Sequence, residues 1–111
     1  MKNEAKKRLQ DIADACAAVG QFARGKDFSN YQADEMFRSA VERKLEIIGE
    51  AFVKLETTEP TLTEQFPELR KIVGLRNRII HGYDNVDEEI IWDVVQNKLP
   101  ALQHQVEVLL A

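Results

Sequence analysis

The chain predicts an all-α fold, a small up-and-down antiparallel helical bundle, and three observations carry that reading. Apolar residues recur at three- and four-residue spacing along most of the 111 residues. No stretch sustains the two-residue alternation of a half-buried strand. Only 5 Gly and 3 Pro interrupt the pattern, and short polar connections between long periodic stretches favour antiparallel neighbours. The length and a hydrophobic fraction of 44% fit one domain over residues 1–111.

The elements follow in order. A first helix is expected over residues 3–23, with Leu9, Ile12, Ala13, Cys16, Val19 and Ala23 on one face and Gly25 at its end. Cys16 sits inside that stripe and reads as a core side chain. The polar stretch Lys26 to Asn30 connects to a second helix over residues 31–56. There Phe37, Val41, Leu45, Ile48, Phe52 and Leu55 make a heptad-like seam. Thr57-Thr58-Glu59-Pro60 ends it, and Leu62 to Phe66 reads as a loop with room for one helical turn. Pro67 suits the first position of a third helix, which should stop at Gly82 in a left-handed cap. Asp84-Asn85-Val86-Asp87 is turn chemistry, with Asp87 the N-cap of the last helix and Glu88 and Glu89 favouring its dipole. That helix carries Trp92, Val95, Leu99, Leu102, Val106 and Leu109. Pro100 should kink it or divide it in two.

Composition narrows the function. A single cysteine excludes an internal disulfide, and two histidines with that cysteine cannot close a zinc site, so neither a metal nor a cofactor is expected. No apolar run approaches membrane length and no leader is visible, which makes the cytoplasm the expected location. The net charge of −4 argues against a general nucleic-acid coat. Leu69 to Tyr83 contradicts the average: Arg70, Lys71, Arg76 and Arg78 stand there without one acid, leaving −8 on the rest. An acidic body with one compact basic segment suits a local phosphate site better than a long groove.

That segment also holds the unusual side chains. At about 100° per residue, Arg76 falls in the middle of a face formed by Leu69, Ile72, Val73, Ile79 and Ile80. A guanidinium there is costly unless carboxylates pair with it or the face opens onto a cleft. Glu46 and Glu50 of the second helix are candidate partners, although Glu46 can also pair with Arg43. Gly49, mid-helix beside the seam, points to close approach by another helix. Gly74, Asn77, Arg78 and His81 share a second, polar face, where Asn77 lies four residues from His81 and can reach its imidazole. His104 lies far from its own helix's apolar face and reads as solvated.

This set offers a proton carrier and cationic donors for a phosphate, but no activated nucleophile and no metal cage. RNA self-cleavage needs neither, because the 2′-hydroxyl attacks the adjacent phosphate. Arginine would stabilise the phosphorane and histidine would move the proton. The reaction wants a base and an acid, and a two-fold dimer that brings two copies of His81 together would supply both.

At these residues the chain resembles the HepT-like toxins of the HEPN superfamily. Arg76-Asn77-Arg78-Ile79-Ile80-His81-Gly82-Tyr83 matches their signature of arginine, four residues, histidine, any residue, tyrosine. Residues 41–51 (VERKLEIIGEA) and 86–102 (VDEEIIWDVVQNKLPAL) resemble the flanking helices. The resemblance implies a homodimer with a metal-independent ribonuclease site at its interface, Arg76 and His81 as the catalytic pair, and Asn77 as the polar residue beside the arginine. It also implies a partner antitoxin, a minimal nucleotidyltransferase of the MntA type, that transfers AMP from ATP to Tyr83. Added phosphate there would bring negative charge and bulk into a site meant for RNA. Two other readings stay open at this stage: a non-catalytic helical dimer that binds nucleotide or RNA and serves its partner as a modification target, and a purely structural dimer.

Overall fold

The computed structural model describes residues 1–82 and 86–111 and contains, among them, helices and connections only. The first helix, α1, runs Asn3–Ala23, and all six stripe residues named above are buried in it. Gly25 follows with φ +72°, a left-handed turn that glycine adopts without strain.

The connection after α1 is more structured than its polarity suggested. Residues Phe28–Ala33 form a short helix, α2, so the second helix does not begin at residue 31. Asp27 and Asn30 close a reciprocal capping box, each side chain accepting from the other's backbone N–H at 2.8 Å. Asp34 then caps α3, Glu35–Thr58, by accepting from the Phe37 N–H. Two aspartate caps seven residues apart divide what periodicity alone joined. α2 seats Tyr31, fully buried, against the Phe37 and Trp92 rings, with centroids 5.3 Å from each.

All six seam residues of α3 are buried, and α3 lies at the centre, packed against α1 on one side and α5, Leu69–Ile80, on the other. Pro60 opens a one-turn helix, α4, Pro60–Thr63. Pro67 belongs to the turn before α5 rather than to its first position: the Leu69 N–H donates to the Phe66 carbonyl, and Pro67 supplies the preset φ that such a turn uses. Phe66 packs on Phe52 with rings 5.2 Å apart. α5 stops where expected, with Gly82 at φ +63°.

Asp87 caps α6, Glu88–Asp93, accepting from the Glu89 and Ile90 N–H groups. Pro100 divides the last helix through a π turn, Val94–Lys98, after which α7 runs Leu99–Leu110. Proline lacks the N–H for an α-helical bond and its ring crowds the preceding turn. The chain winds in one extra residue just before it, and the Leu99 N–H donates to the Val94 carbonyl. The insertion also shifts the seam. Ahead of the turn it is Ile91, not Trp92, that is fully buried, while Leu99, Leu102 and Val106 continue it beyond. Trp92 and Leu109 are half-buried. α7 packs on α1, so the bundle core is α1, α3 and α7, and α5 lies on its flank against α3. Among the described residues no helix is long and apolar enough to cross a membrane.

Candidate active site

The site begins with a glycine in the core helix. Gly49 of α3 is buried, and a Cβ on it would lie 2.4 Å from Arg76 Cβ and 2.8 Å from Arg76 Cγ. Only the missing side chain lets the stem of Arg76 lie against the α3 backbone. The two-pronged Glu56–Arg70 ion pair bridges the same two helices further along. As the α3 residue number falls from 56 to 49 the α5 number rises from 70 to 76, so α3 and α5 run antiparallel.

With its stem so placed, Arg76 is half-buried. Its Nη1 donates to the Asn77 side-chain oxygen at 2.8 Å, and its Nε is buried with no hydrogen-bond partner among the described residues. Arg76 lies on the buried face of α5, between Leu69 and Ile72 on the wheel. The fully covered side chains of α5 are Leu69, Ile72 and Leu75, whereas Val73 is half-buried and Ile80 exposed. A half-buried position suits a guanidinium whose alkyl stem is covered while its head reaches the surface.

The proposed carboxylate partners are not there. Glu46 is engaged by Arg43 at 3.1 Å. Glu50 is exposed and lines a groove with Arg8, Asp11 and Lys54, on the α1 side of α3. Neither forms an ion pair with Arg76. The neighbour that orients the guanidinium is Asn77, whose amide oxygen faces the arginine.

His81 is the C-cap residue of α5, exposed, with its backbone N–H donating to the Asn77 carbonyl at 3.2 Å. It therefore stands just over one helical turn beyond Arg76, at the surface. Arg78 is exposed and borders an open groove of about 550 Å³ shared with Phe28, Gln32 and the acidic start of α6, Asp87 to Glu89. Tyr83 and Asp84 lie outside the described residues. His104 is exposed on α7.

Two carboxylates beyond the sequence-based set lie where α3 meets the start of α6. Glu88 pairs with Arg38 at 3.7 Å, which ties the start of α6 to α3. Glu42, half-buried on α3, has its carboxyl pushed above the ordinary range by burial, and Glu46 and Glu88 add to that while Arg38 opposes it. The spacing of Arg38, Glu42 and Glu46, four residues each, was the available signal. Cys16 is buried, and burial, with a smaller contribution from Glu107, pushes its thiol up to about 12. Such a thiol is inert packing. Among the described residues no three His, Cys, Asp or Glu side chains are grouped so as to hold a metal ion.

Arginine, asparagine and histidine side chains of this kind suit stabilising and protonating a phosphate ester. Comparison with known proteins agrees in kind. The family model described as ribonuclease HepT-like matches residues 12–109. A provisionally named RNase of Methanocaldococcus jannaschii is 34% identical over 110 residues, covering 97% of this chain and 98% of its own. A protein of Thermococcus cleftensis named a probable ribonuclease HepT is 34% identical over 109 residues, covering 98% of each. Another provisionally named RNase, from Caldanaerobacter subterraneus subsp. tengcongensis, is 31% identical over 102 residues, 92% of this chain and 90% of its own. No solved structure matches the chain significantly. With its helical bundle and a family match that spans nearly its whole length, the chain belongs to the ribonuclease HepT-like family of the HEPN superfamily.

Proposed function

We propose that the chain is a metal-independent endoribonuclease, the toxin of a toxin–antitoxin pair, whose Arg76 and His81 act on the scissile phosphate at the seam of a two-fold dimer. The observation that carries this reading is the Arg76 guanidinium, brought to the surface over Gly49 and oriented by Asn77, with His81 closing the same helix just over one turn on. In the reaction the RNA 2′-hydroxyl loses its proton and its oxygen attacks the adjacent phosphorus. The bond to the 5′-oxygen breaks, and that oxygen takes a proton. The products are a 2′,3′-cyclic phosphate and a free 5′-hydroxyl. Arg76 stabilises the charge that gathers on the phosphorane oxygens, and His81 carries one of the two protons. The same residue of a second copy serves as the other carrier, which is why the dimer matters.

Regulation follows the family tyrosine. A minimal nucleotidyltransferase of the MntA type would present ATP to Tyr83; the phenol oxygen attacks the α-phosphate, pyrophosphate leaves, and the tyrosine keeps an AMP. That adds negative charge two residues from His81 and repels incoming RNA.

RNA cleavage in excess chelator, with the intact mass of the protein verified, tests the catalytic reading. Wild-type protein should release 2′,3′-cyclic phosphate ends and His81→Ala should not. A strict requirement for divalent metal would overturn the mechanism. Transfer of AMP onto Tyr83→Phe by the partner enzyme would overturn the acceptor assignment.

A further inference from the structure

A second glycine of the site region has no explanation inside the molecule. Gly74 lies in the middle of α5, is exposed, and a Cβ on it would meet nothing within 4 Å. Packing does not require it, in contrast to Gly49, and a mid-helix glycine is less stable there than alanine. One turn to either side stand Arg70, Lys71, Asn77 and Arg78, all exposed. The result is a bare stretch of helix surface ringed by donors, and it adjoins His81. Gly20 of α1 is equally open but has Cys16, Ala17, Ala23 and Arg24 at the same spacings, with no comparable ring.

We propose that the outward face of α5, centred on Gly74, seats the sugar–phosphate backbone of the RNA strand next to the scissile bond. This deepens the ribonuclease reading and rests on it. The missing side chain lets a backbone lie flat against the helix, and the flanking cations take phosphates from both sides. From Lys71 to Arg78 the helix rises about 10 Å, room for phosphates beyond the one being cut. The resting face is held by exposed pairs: Arg70 with Glu56, and Lys71 with Asp93 at 3.8 Å. Pairs so exposed are weak, and a phosphate can replace the carboxylate. Asp93 is therefore a competitor for the strand. Asp87, Glu88 and Glu89 bound the face beyond Arg78 and limit how far the strand runs.

The test reads binding apart from cleavage. A single-stranded RNA octamer with 2′-O-methyl groups, which cannot be cut, is titrated by fluorescence anisotropy into wild type, Gly74→Gln, Lys71→Gln and Asp93→Asn, alongside cleavage of a dinucleotide and of an unmodified octamer. Gly74→Gln should melt a few degrees higher yet bind the octamer about three- to tenfold more weakly. Its KM on the octamer should rise while dinucleotide cleavage stays at wild-type rate. Lys71→Gln should flatten the log–log salt dependence by about 0.7. Asp93→Asn should bind more tightly. Unchanged octamer binding by Gly74→Gln overturns the seat whether or not the protein is a nuclease. Octamer binding that Gly74→Gln weakens, without any cleavage by wild type, supports the seat and overturns the nuclease mechanism. Loss of the wild-type assembly in Gly74→Gln, seen by sedimentation, overturns the seat in favour of a contact between copies. Failure of wild type to bind RNA overturns both.

Discussion

α1 and α5 are built on opposite terms. α1 has 21 residues, and every buried one, from Ala5 to Ala23, is apolar, including a cysteine whose thiol is held neutral. It is clamped between α3 and α7. α5 has 12 residues, covers Leu69, Ile72 and Leu75, and gives a place on that face to an arginine. Its other sides show Arg70, Lys71, Gly74, Asn77, Arg78 and His81 to solvent. The first helix buries apolar side chains from end to end. The second is carried on the scaffold through α3 and gives up stability for chemistry: an exposed glycine, a guanidinium with a buried unpaired Nε, a histidine at its end.

That contrast can be broken by substitution, and the largest effects belong to α5. His81→Ala should reduce cleavage by about 10²- to 10⁴-fold with an unchanged melting temperature, since the side chain is exposed. Arg76→Ala should lose about 10²- to 10³-fold, also without unfolding. A loss of fold in His81→Ala would mean that α5 is scaffold after all.

The converse belongs to α1. Leu9 and Ile12 are fully covered, so alanine at either should cost about 2–5 kcal/mol in denaturant unfolding. Cleavage per folded molecule should stay at the wild-type level.

Gly49→Ala joins the two regions. Its Cβ would collide with the Arg76 stem, and both α3 and α5 would have to shift. We expect a destabilisation of about 1–3 kcal/mol together with reduced cleavage, because the guanidinium moves with its stem. A stable but inactive Gly49→Ala would show that position, not packing, is what the glycine secures.

The same contrast governs what the sequence made legible. α1 was read to its end residues, because an unbroken apolar period and a glycine stop leave nothing else to decide. The seam of α3 was equally plain. The break at Asp34 was not, since two aspartate caps act through backbone N–H groups that carry no hydrophobic period. The π turn was half visible: Pro100 announced a disturbance, but the added residue that moved burial from Trp92 to Ile91 depends on how the backbone relaxes. In the site, Gly49 announced the close approach of another helix. The wheel placed Arg76 on the face that meets α3, where its stem packs on Gly49 and its Nε is buried. It could not show that the head of the guanidinium reaches Asn77 rather than the carboxylates of α3.

A pH-dependent effect tests the dry side alone. The Cys16 thiol is raised from 9.0 to about 12 in the folded chain. The unfolded chain therefore ionises first. This contribution is fully present below pH 9 and is lost as pH rises toward 12, with a slope of at most about 1.4 kcal/mol per pH unit. The stability gap between wild type and Cys16→Ala should narrow across that window. Below it the folded thiol should resist alkylation, and rapid labelling at pH 8 would show that α1 opens locally.

The smallest effects concern Glu46 and Glu50. Glu46 meets Arg43 in an exposed pair, and Glu50 faces the groove toward α1. Each glutamine variant should change stability by no more than about 0.5 kcal/mol, and cleavage by no more than about twofold. The asymmetry between the two is the informative part. Glu46 and Glu50 are four residues apart and share one side of α3, with Glu50 the one that borders the groove toward α1. A cleavage defect in Glu46→Gln alone would mean that its carboxylate leaves Arg43 for Arg76 when RNA binds. The guanidinium would then be paired in the working enzyme and not at rest. A defect in Glu50→Gln would mean the same for Glu50, whose carboxylate would have to leave the groove it shares with Arg8 and Lys54, and one side of α3 would then belong to the site as well as to the scaffold.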